Sequence, residues 1–260
     1  MNVLDNIIEN RKKELTNLKK ITSVRDLEQS ILFDRKSVSL SEFLLDKSKT
    51  GIIAEFKRKS PSKGIINSSS EVTEVTSGYF REGASGVSVL TESRYFGGSN
   101  DDLLHSREDN AFPILRKDFI VDEFQIIESK SIGADVILLI AAVLEKKQVI
   151  SLARLAHSLG LEVLLEIHDV SELEKVNPYI NIIGVNNRNL KTFEVNIEIS
   201  ENLAEKIPDG FLKISESGIS SPQIVTNLRN SGYNGFLIGE KFMCTLNPVR
   251  AFSEFVKDLI

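Results

Sequence analysis

Cysteine is nearly missing from these 260 residues, with Cys244 standing alone. A lone thiol forms neither an intramolecular disulfide nor a cysteine metal cage, so a reducing compartment is expected and Cys244 is expected as inert packing. Long apolar runs are missing too. The longest uncharged one, Val136 to Leu144, has nine residues, roughly half of what a membrane-spanning helix needs. The opening MNVLDNIIENRKKEL carries Asp5, Glu9 and Glu14, which fits neither a secretory signal nor an acid-poor transit peptide. No membrane segment is expected, and a cytoplasmic location is. Positive charge is in short supply: 32 Lys and Arg face 37 Asp and Glu, a net charge of −5. That balance excludes a broad nucleic-acid surface but leaves room for a local basic site holding a small anion.

Missing motifs narrow the chemistry further. No G-x-G-x-x-G occurs, which removes the diagnostic of an open dinucleotide-binding sheet. His105, His157 and His168 lie far apart, and there is no H-E-x-x-H, so no metal is expected; His157, within LAHSLG, reads as a helix-surface residue. No G-x-S-x-G elbow surrounds a serine. No linker-like stretch divides the chain, because the one Ser-rich patch, NSSS at 67–70, is short.

What is present is ordinary globular material, 41% hydrophobic and 27% charged, enough to bury a large core. Leu4, Ile7, Ile8, Leu15 and Leu18 fall at helical spacings, predicting an amphipathic N-terminal helix lying on something larger. From about residue 50 the pattern changes. Short apolar, β-branched runs at 51–56, 86–90, 112–116, 135–140, 161–167, 181–186, 211–215 and 235–239 alternate with helix-like segments at 71–82, 122–131, 145–158, 196–206, 221–230 and 247–258. Glycine precedes several strands, as in REGASGVSV, SIGADVI, SLGLEV and NSGYNGFLI, where a helix C-terminus is expected. Eight strand–helix units with strands apolar on both faces imply a closed parallel sheet wrapped by helices, an α/β fold of the (βα)8 barrel type.

In such a barrel the C-terminal strand ends build the active site. Alternation along the first strand puts Ile53, Glu55 and Lys57 on one face and Ala54 and Phe56 on the other. With Ala54 and Phe56 toward the helices, Glu55 and Lys57 point into the mouth. Later strands end in Lys117, Glu166, Asn186 with Arg188, and Glu216. Taken singly, each charge reads equally well as a cap on the barrel rim. Two lysines and three glutamates at one rim instead favour a set of tuned acids and bases. The turns SESGIS at 215–220 and LIGEKF at 237–242 follow the last two strands, where free backbone N–H groups commonly seat a phosphate. Proton transfer and electrostatics on a small phosphorylated anion are therefore expected.

The stretches IIAEFKRKSPSKG, SVLTESRYFGGS, LRKDFIVDEFQI, GLEVLLEIHD, IIGVNNRNL, SESGI and FLIGEKFM together closely resemble the indole-3-glycerol-phosphate synthases, ring-closing enzymes of tryptophan biosynthesis. The resemblance covers nearly the whole barrel in family order. It implies a carboxy-lyase that needs no cofactor and converts 1-(2-carboxyphenylamino)-1-deoxyribulose 5-phosphate to indole-3-glycerol phosphate, CO2 and water. It further implies Lys117 as general acid in ring closure, Lys57 on the substrate carboxylate and as an acid in dehydration, and Glu166 in later proton transfer. Glu55 would orient Lys57 or serve as base, with Asn186 beside them. Phe96, Arg188, Glu216 and Ser217 would contact substrate; Ser60, Gly218 and Gly239 match phosphate-loop positions. Residues 1–46 look like the family's helical extension over the barrel mouth, making residues 1–260 one barrel domain. With 247–260 as the last helix, no fused phosphoribosylanthranilate isomerase barrel is expected within this chain. Two positions depart from the pattern: Asn189, where an Asp is usual, and Asn100, where an apolar residue is common. Arg58 and Lys59 are expected to be solvated or paired at the rim. Contacts with other enzymes of the pathway are left open. So are two other readings: a lyase that forms an imine at Lys57 or Lys117, and a silent barrel that binds a phosphorylated metabolite.

Overall fold

The computed structural model describes residues 3–108, 110–190 and 192–259. Eight parallel strands close into a barrel: β1 Ile52–Phe56, β2 Gly86–Leu90, β3 Ile114–Lys117, β4 Val136–Ile140, β5 Glu162–Ile167, β6 Ile182–Asn186, β7 Leu212–Glu216 and β8 Gly235–Ile238. Neighbours follow chain order, and β8 returns to β1 with Ile52 opposite Phe236. All eight lie where the apolar runs placed them, with ends shifted by at most two residues. β3 starts at Ile114 rather than 112, because Pro113 has no N–H to give the ladder.

Two apolar cores result from the alternation. Ile53, Leu115, Val136, Leu138, Ile140, Leu164, Ile182, Ile214 and Leu237 fill the barrel interior, whereas Ala54, Phe56, Val87, Val89, Ile114 and Phe236 face the helices. Helices at Val72–Arg81, Glu123–Ser131, Lys146–Ser158, Glu198–Leu203, Pro222–Asn230 and Pro248–Val256 match the sequence pattern. Shorter ones at Ser93–Phe96, Asn100–Arg107 and Glu240–Met243, and a 3-10 turn at Val170–Lys175, do not; they are too short or too polar to show a helical apolar stripe. The glycines expected after helices take left-handed backbone, with φ 100 at Gly83 and 87 at Gly133. That region carries no Cβ penalty for glycine.

The N-terminal extension divides between the two ends of the barrel. Helix α1, Val3–Ile21, lies at the mouth, where Val3, Leu4 and Ile7 line the cleft and Arg11 pairs with Asp118, just past β3. Residues beyond it run down the outside: α2, Val24–Glu28, packs on helix Glu123–Ser131, and Arg35 bonds Asp135 at 2.6 Å. Helix α3, Leu40–Leu45, then caps the opposite end. Ser39 Oγ and the Ser41 N–H donate to Glu162 at the start of β5, at 2.6 and 3.0 Å, and Leu40 and Leu44 join the interior core. Their side chains fill space left by Gly86 and Gly235, where an added Cβ would lie 2.7 Å from Leu40 and 2.6 Å from Leu44. The expectation that all of residues 1–46 cover the mouth is thereby corrected. Only α1 does, because the apolar face of α3 has its partners at the strand N-termini; burying each leucine contributes roughly 1.5–3 kcal/mol.

Candidate active site

At the C-terminal strand ends a cleft of about 650 Å³ opens, lined by Glu55, Lys57, Ser60, Phe96, Lys117, Glu166, Asn186, Arg188, Glu216, Ser217, Gly218 and Gly239. Every residue proposed from the sequence is among them. The charges sort into two sets. Lys57 Nζ donates to Glu55 Oε1 at 2.7 Å. Lys117 Nζ donates to Glu166 Oε2 at 2.9 Å and to Glu216 Oε2 at 2.6 Å. All three carboxylates are almost fully buried.

Burial at this depth opposes ionisation, and the neighbours decide each outcome. Burial disfavours the Lys117 ammonium, yet Glu166, Glu216 and Glu55 outweigh it and hold the group well above the ordinary lysine range. Glu166 is disfavoured by burial but carried below the usual carboxylate range by Lys117 and His168. Glu216 goes the other way: burial, reinforced by Glu166, exceeds the attraction of Lys117 and pushes its carboxyl up to about 7. Its Oε1 has no hydrogen-bond partner among the described residues. It occupies the space that a side chain on Gly184 of β6 would need, since a Cβ there would lie 2.3 Å away. One ammonium thus sits between a firmly ionised carboxylate and one poised to hold a proton.

The remaining positions complete the lining of the cleft. Ser217 adopts φ 67, a left-handed conformation that costs a non-glycine residue about 1–3 kcal/mol. Asn187 Nδ2 pins this turn by donating to Ser215 Oγ, Glu216 O and Ser217 O at 2.9, 3.0 and 3.1 Å. Gly218 is also left-handed, and a Cβ would lie 2.4 Å from Val195. Gly239 has a packing reason the sequence concealed: a Cβ would meet Glu55 Oε1 at 2.7 Å and Glu55 Cβ at 2.8 Å. Arg188 Nη2 lies 3.8 Å from Glu240 and Lys63 Nζ lies 3.7 Å from the same carboxylate. Ser60 Oγ is 3.5 Å from Ser62 Oγ, in a two-residue hairpin pairing 59–60 with 64–65. Phe96 lies 6.0 Å, centroid to centroid, from Phe119. Its turn is held by Glu92, which accepts the N–H groups of Arg94, Tyr95 and Phe96 at 3.1, 2.7 and 3.0 Å.

The family model described as indole-3-glycerol phosphate synthase matches residues 4–255. The chain belongs to that family. Similar relatives include the indole-3-glycerol phosphate synthase of Bacteroides thetaiotaomicron, 46% identical over 255 residues covering 98% of each chain. That of Thermoanaerobacter pseudethanolicus is 41% identical over 259 residues, again covering 98% of each. Among solved structures, a tryptophan synthase complex from Pyrococcus furiosus contains a chain that aligns with TM-score 0.60 at 13% identity, covering 82% of this chain and 98% of that one. A 3-hexulose-6-phosphate synthase from Salmonella typhimurium aligns with TM-score 0.62 at 13% identity, covering 81% and 100%. These last two likenesses are of fold. As a member of the indole-3-glycerol phosphate synthase family the chain is a carboxy-lyase of tryptophan biosynthesis acting on a phosphorylated small molecule.

Against this synthase background one sequence expectation changes and others hold. Cys244 is exposed at the cleft edge rather than packed, because it ends the helix Glu240–Met243, whose Phe242 and Met243 turn inward instead. Arg58 is paired at the rim, 2.6 Å from Asp102 and over the Phe56 ring, and Lys59 Nζ donates to the Arg94 carbonyl. Asn100 earns its amide by bonding Glu128 at 3.0 Å and Arg116 at 3.2 Å. Asn189 accepts the Thr192 N–H at 3.2 Å. His157 is exposed, as its helix position implied. Residues not foreseen for the site include Asp118, Glu92, Asn187 and His168. Asp118 adjoins Lys117 and His168 stands two residues after Glu166, so position in the sequence was the available signal.

Proposed function

We propose that the cleft carries out ring closure, decarboxylation and dehydration through two lysine–carboxylate sets with separate duties. The observation that carries this reading is the Lys117 ammonium held by both Glu166 and Glu216 inside the cleft. When the anthranilate ring carbon of 1-(2-carboxyphenylamino)-1-deoxyribulose 5-phosphate attacks the ribulose carbonyl, charge builds on that oxygen. Lys117 lies ready to protonate it. A lysine held in its ammonium form is also a poor imine-forming nucleophile, which argues for noncovalent acid–base work.

Lys57, anchored by Glu55, holds the anthranilate carboxylate until CO2 leaves and the electron pair returns to the ring. In the last step hydroxyl departs as water with an acid's proton, Lys57 acting there, while Glu166 accepts the ring proton; indole-3-glycerol phosphate results. Asn186 stays beside Glu166, and Phe96 offers a face to the aromatic ring. Ser60, Gly218 and Gly239 surround the phosphate, with Arg188, Glu216 and Ser217 on the ribulose chain. Residues 1–260 act as one unit in which α1 roofs the cleft, and the location is cytoplasmic.

The chain contains no Trp, so indole product fluoresces against a dark background. Adding the carboxyphenylamino-deoxyribulose phosphate is expected to produce that signal with release of CO2. Tight binding of substrate without any indole product is the result that sinks the reading.

A further inference from the structure

His168 is a half-buried titratable group beside the cleft that this mechanism leaves unused. It follows β5 directly, its side chain is 15% exposed, and it does not line the cleft. Its Nε2 stands 3.6 Å from Glu166 Oε1 and its Nδ1 3.7 Å from Glu172 Oε2, on the turn Val170–Lys175. Neither nitrogen has a hydrogen-bond partner among the described residues, so the ring acts on both carboxylates by charge. Glu172 is itself fixed, because its Oε2 accepts the His168 backbone N–H at 2.7 Å. Glu166 thus lies between Lys117, which donates to Oε2, and the His168 ring, 3.6 Å from Oε1.

We propose that His168 is a positioning residue for Glu166: as imidazolium, braced by Glu172, it holds Oε1 back and leaves Oε2 aimed at Lys117 and the substrate. The inference rests on the reading of Glu166 as the group that accepts the ring proton. The charged groups facing the imidazole are Glu166 and Asp169 from its own segment, Glu172 from the turn and Glu216 from β7, with Lys117 beyond Glu166. Carboxylates dominate this set. Burial depresses the imidazole's proton affinity, but Glu172 and Glu166, then Glu216, outweigh it and raise it above the ordinary histidine range. The sign follows: the grip is complete at pH values below that range and is lost as pH rises through the raised value.

Two measurements test this. With only three histidines in the chain, imidazole resonances of the substrate-free protein can be followed from pH 5 to 9. His168 is expected to titrate above the ordinary histidine range, and its midpoint is expected to fall by about one pH unit in Glu172→Gln, since one unit reflects about 1.4 kcal/mol of lost charge interaction. A midpoint unmoved in Glu172→Gln and in Glu166→Gln overturns the proposal. In kinetics, wild-type kcat is expected to step down about tenfold as pH rises through the His168 midpoint. His168→Gln should sit at the lower level throughout, without the step and with KM within about twofold. A variant that keeps the step overturns the positioning role. Should His168→Gln fail to fold, the Glu172→Gln titration still decides. Full activity in Glu166→Gln would overturn the assignment of Glu166 itself, an outcome distinct from the resonance test.

Discussion

Arg116 and Lys117 are consecutive residues of one strand, both cationic and both surrounded by carboxylates, yet they do opposite work. Arg116 points outward, fully buried. Its Nε donates to Thr91 at 3.0 Å, Nη1 to Gln125 O and Ser129 at 3.2 and 3.0 Å, and Nη2 to Asn100, Asp118 and Glu128 at 3.2, 3.2 and 2.6 Å. Asp118 in turn receives Thr91 Oγ1 and Arg11, tying β3 to α1. Every guanidinium nitrogen of Arg116 has a partner, and of this cluster Asp118 borders the cleft. Lys117 points inward to a cleft of about 650 Å³ and shares its charge with a carboxyl that keeps one oxygen unpartnered among the described residues. Burial and charge are common to both sets, so neither marks chemistry. What marks it is a strained, incompletely satisfied set of groups with room for a substrate.

Exchanging the two cations breaks the comparison most sharply. Lys117→Ala is expected to lower kcat by about 10²–10⁴-fold, measured by indole fluorescence, and to lower the urea midpoint less than the loss of Arg116 does, because the cleft gives water access to the carboxylates it leaves unpaired. Arg116→Met should do the reverse. Leaving Asp118 and Glu128 without their buried partner costs about 3–5 kcal/mol of stability, while activity per folded molecule stays within a few-fold of wild type. If Arg116→Met left stability intact and abolished catalysis, the assignment of the two faces would be wrong.

A gentler probe is pH. Because Glu216 is raised in the folded state to about 7, it favours folding when protonated, and that contribution is lost as pH rises from the unfolded carboxylate range toward 7. Subtracting the stability of Glu216→Gln from that of wild type across pH 4 to 8 is expected to give a difference that declines over that window. A flat difference would mean Glu216 is as settled as the outer carboxylates. The smallest effect belongs to the exposed Lys13–Glu9 pair of α1, 2.6 Å apart. Lys13→Ala should leave the urea midpoint unchanged within error, because water and salt screen an exposed pair, in contrast to the buried clusters.

Much of the mouth was legible from sequence because strand alternation is rigid. Once Ala54 and Phe56 are assigned to the helices, Glu55 and Lys57 have one direction left. The same logic placed Lys117, Glu166 and Glu216 at strand ends. It said nothing about pairing across the barrel, since Lys117 meets Glu166 and Glu216 over separations of 49 and 99 residues. His168 stayed invisible for a related reason. Past the strand end the alternation stops, and the turn that brings Glu172 beside it is a 3-10 segment without a periodic stripe. Gly239 was legible as a turn residue, but its closeness to Glu55 joins opposite ends of the sequence.

The sequence by itself determined the barrel, its eight strands, the inward direction of the charged side chains and the family, because each of these depends on local periodicity or on motifs read in order. Only the tertiary structure decided that α1 and α3 cap opposite ends. It alone decided that Arg116 is saturated where Lys117 is not, and that Glu166 and Glu216, alike in sequence, diverge in proton affinity. These outcomes depend on which distant groups share a low-dielectric space, and closing the barrel is what brings those groups within reach.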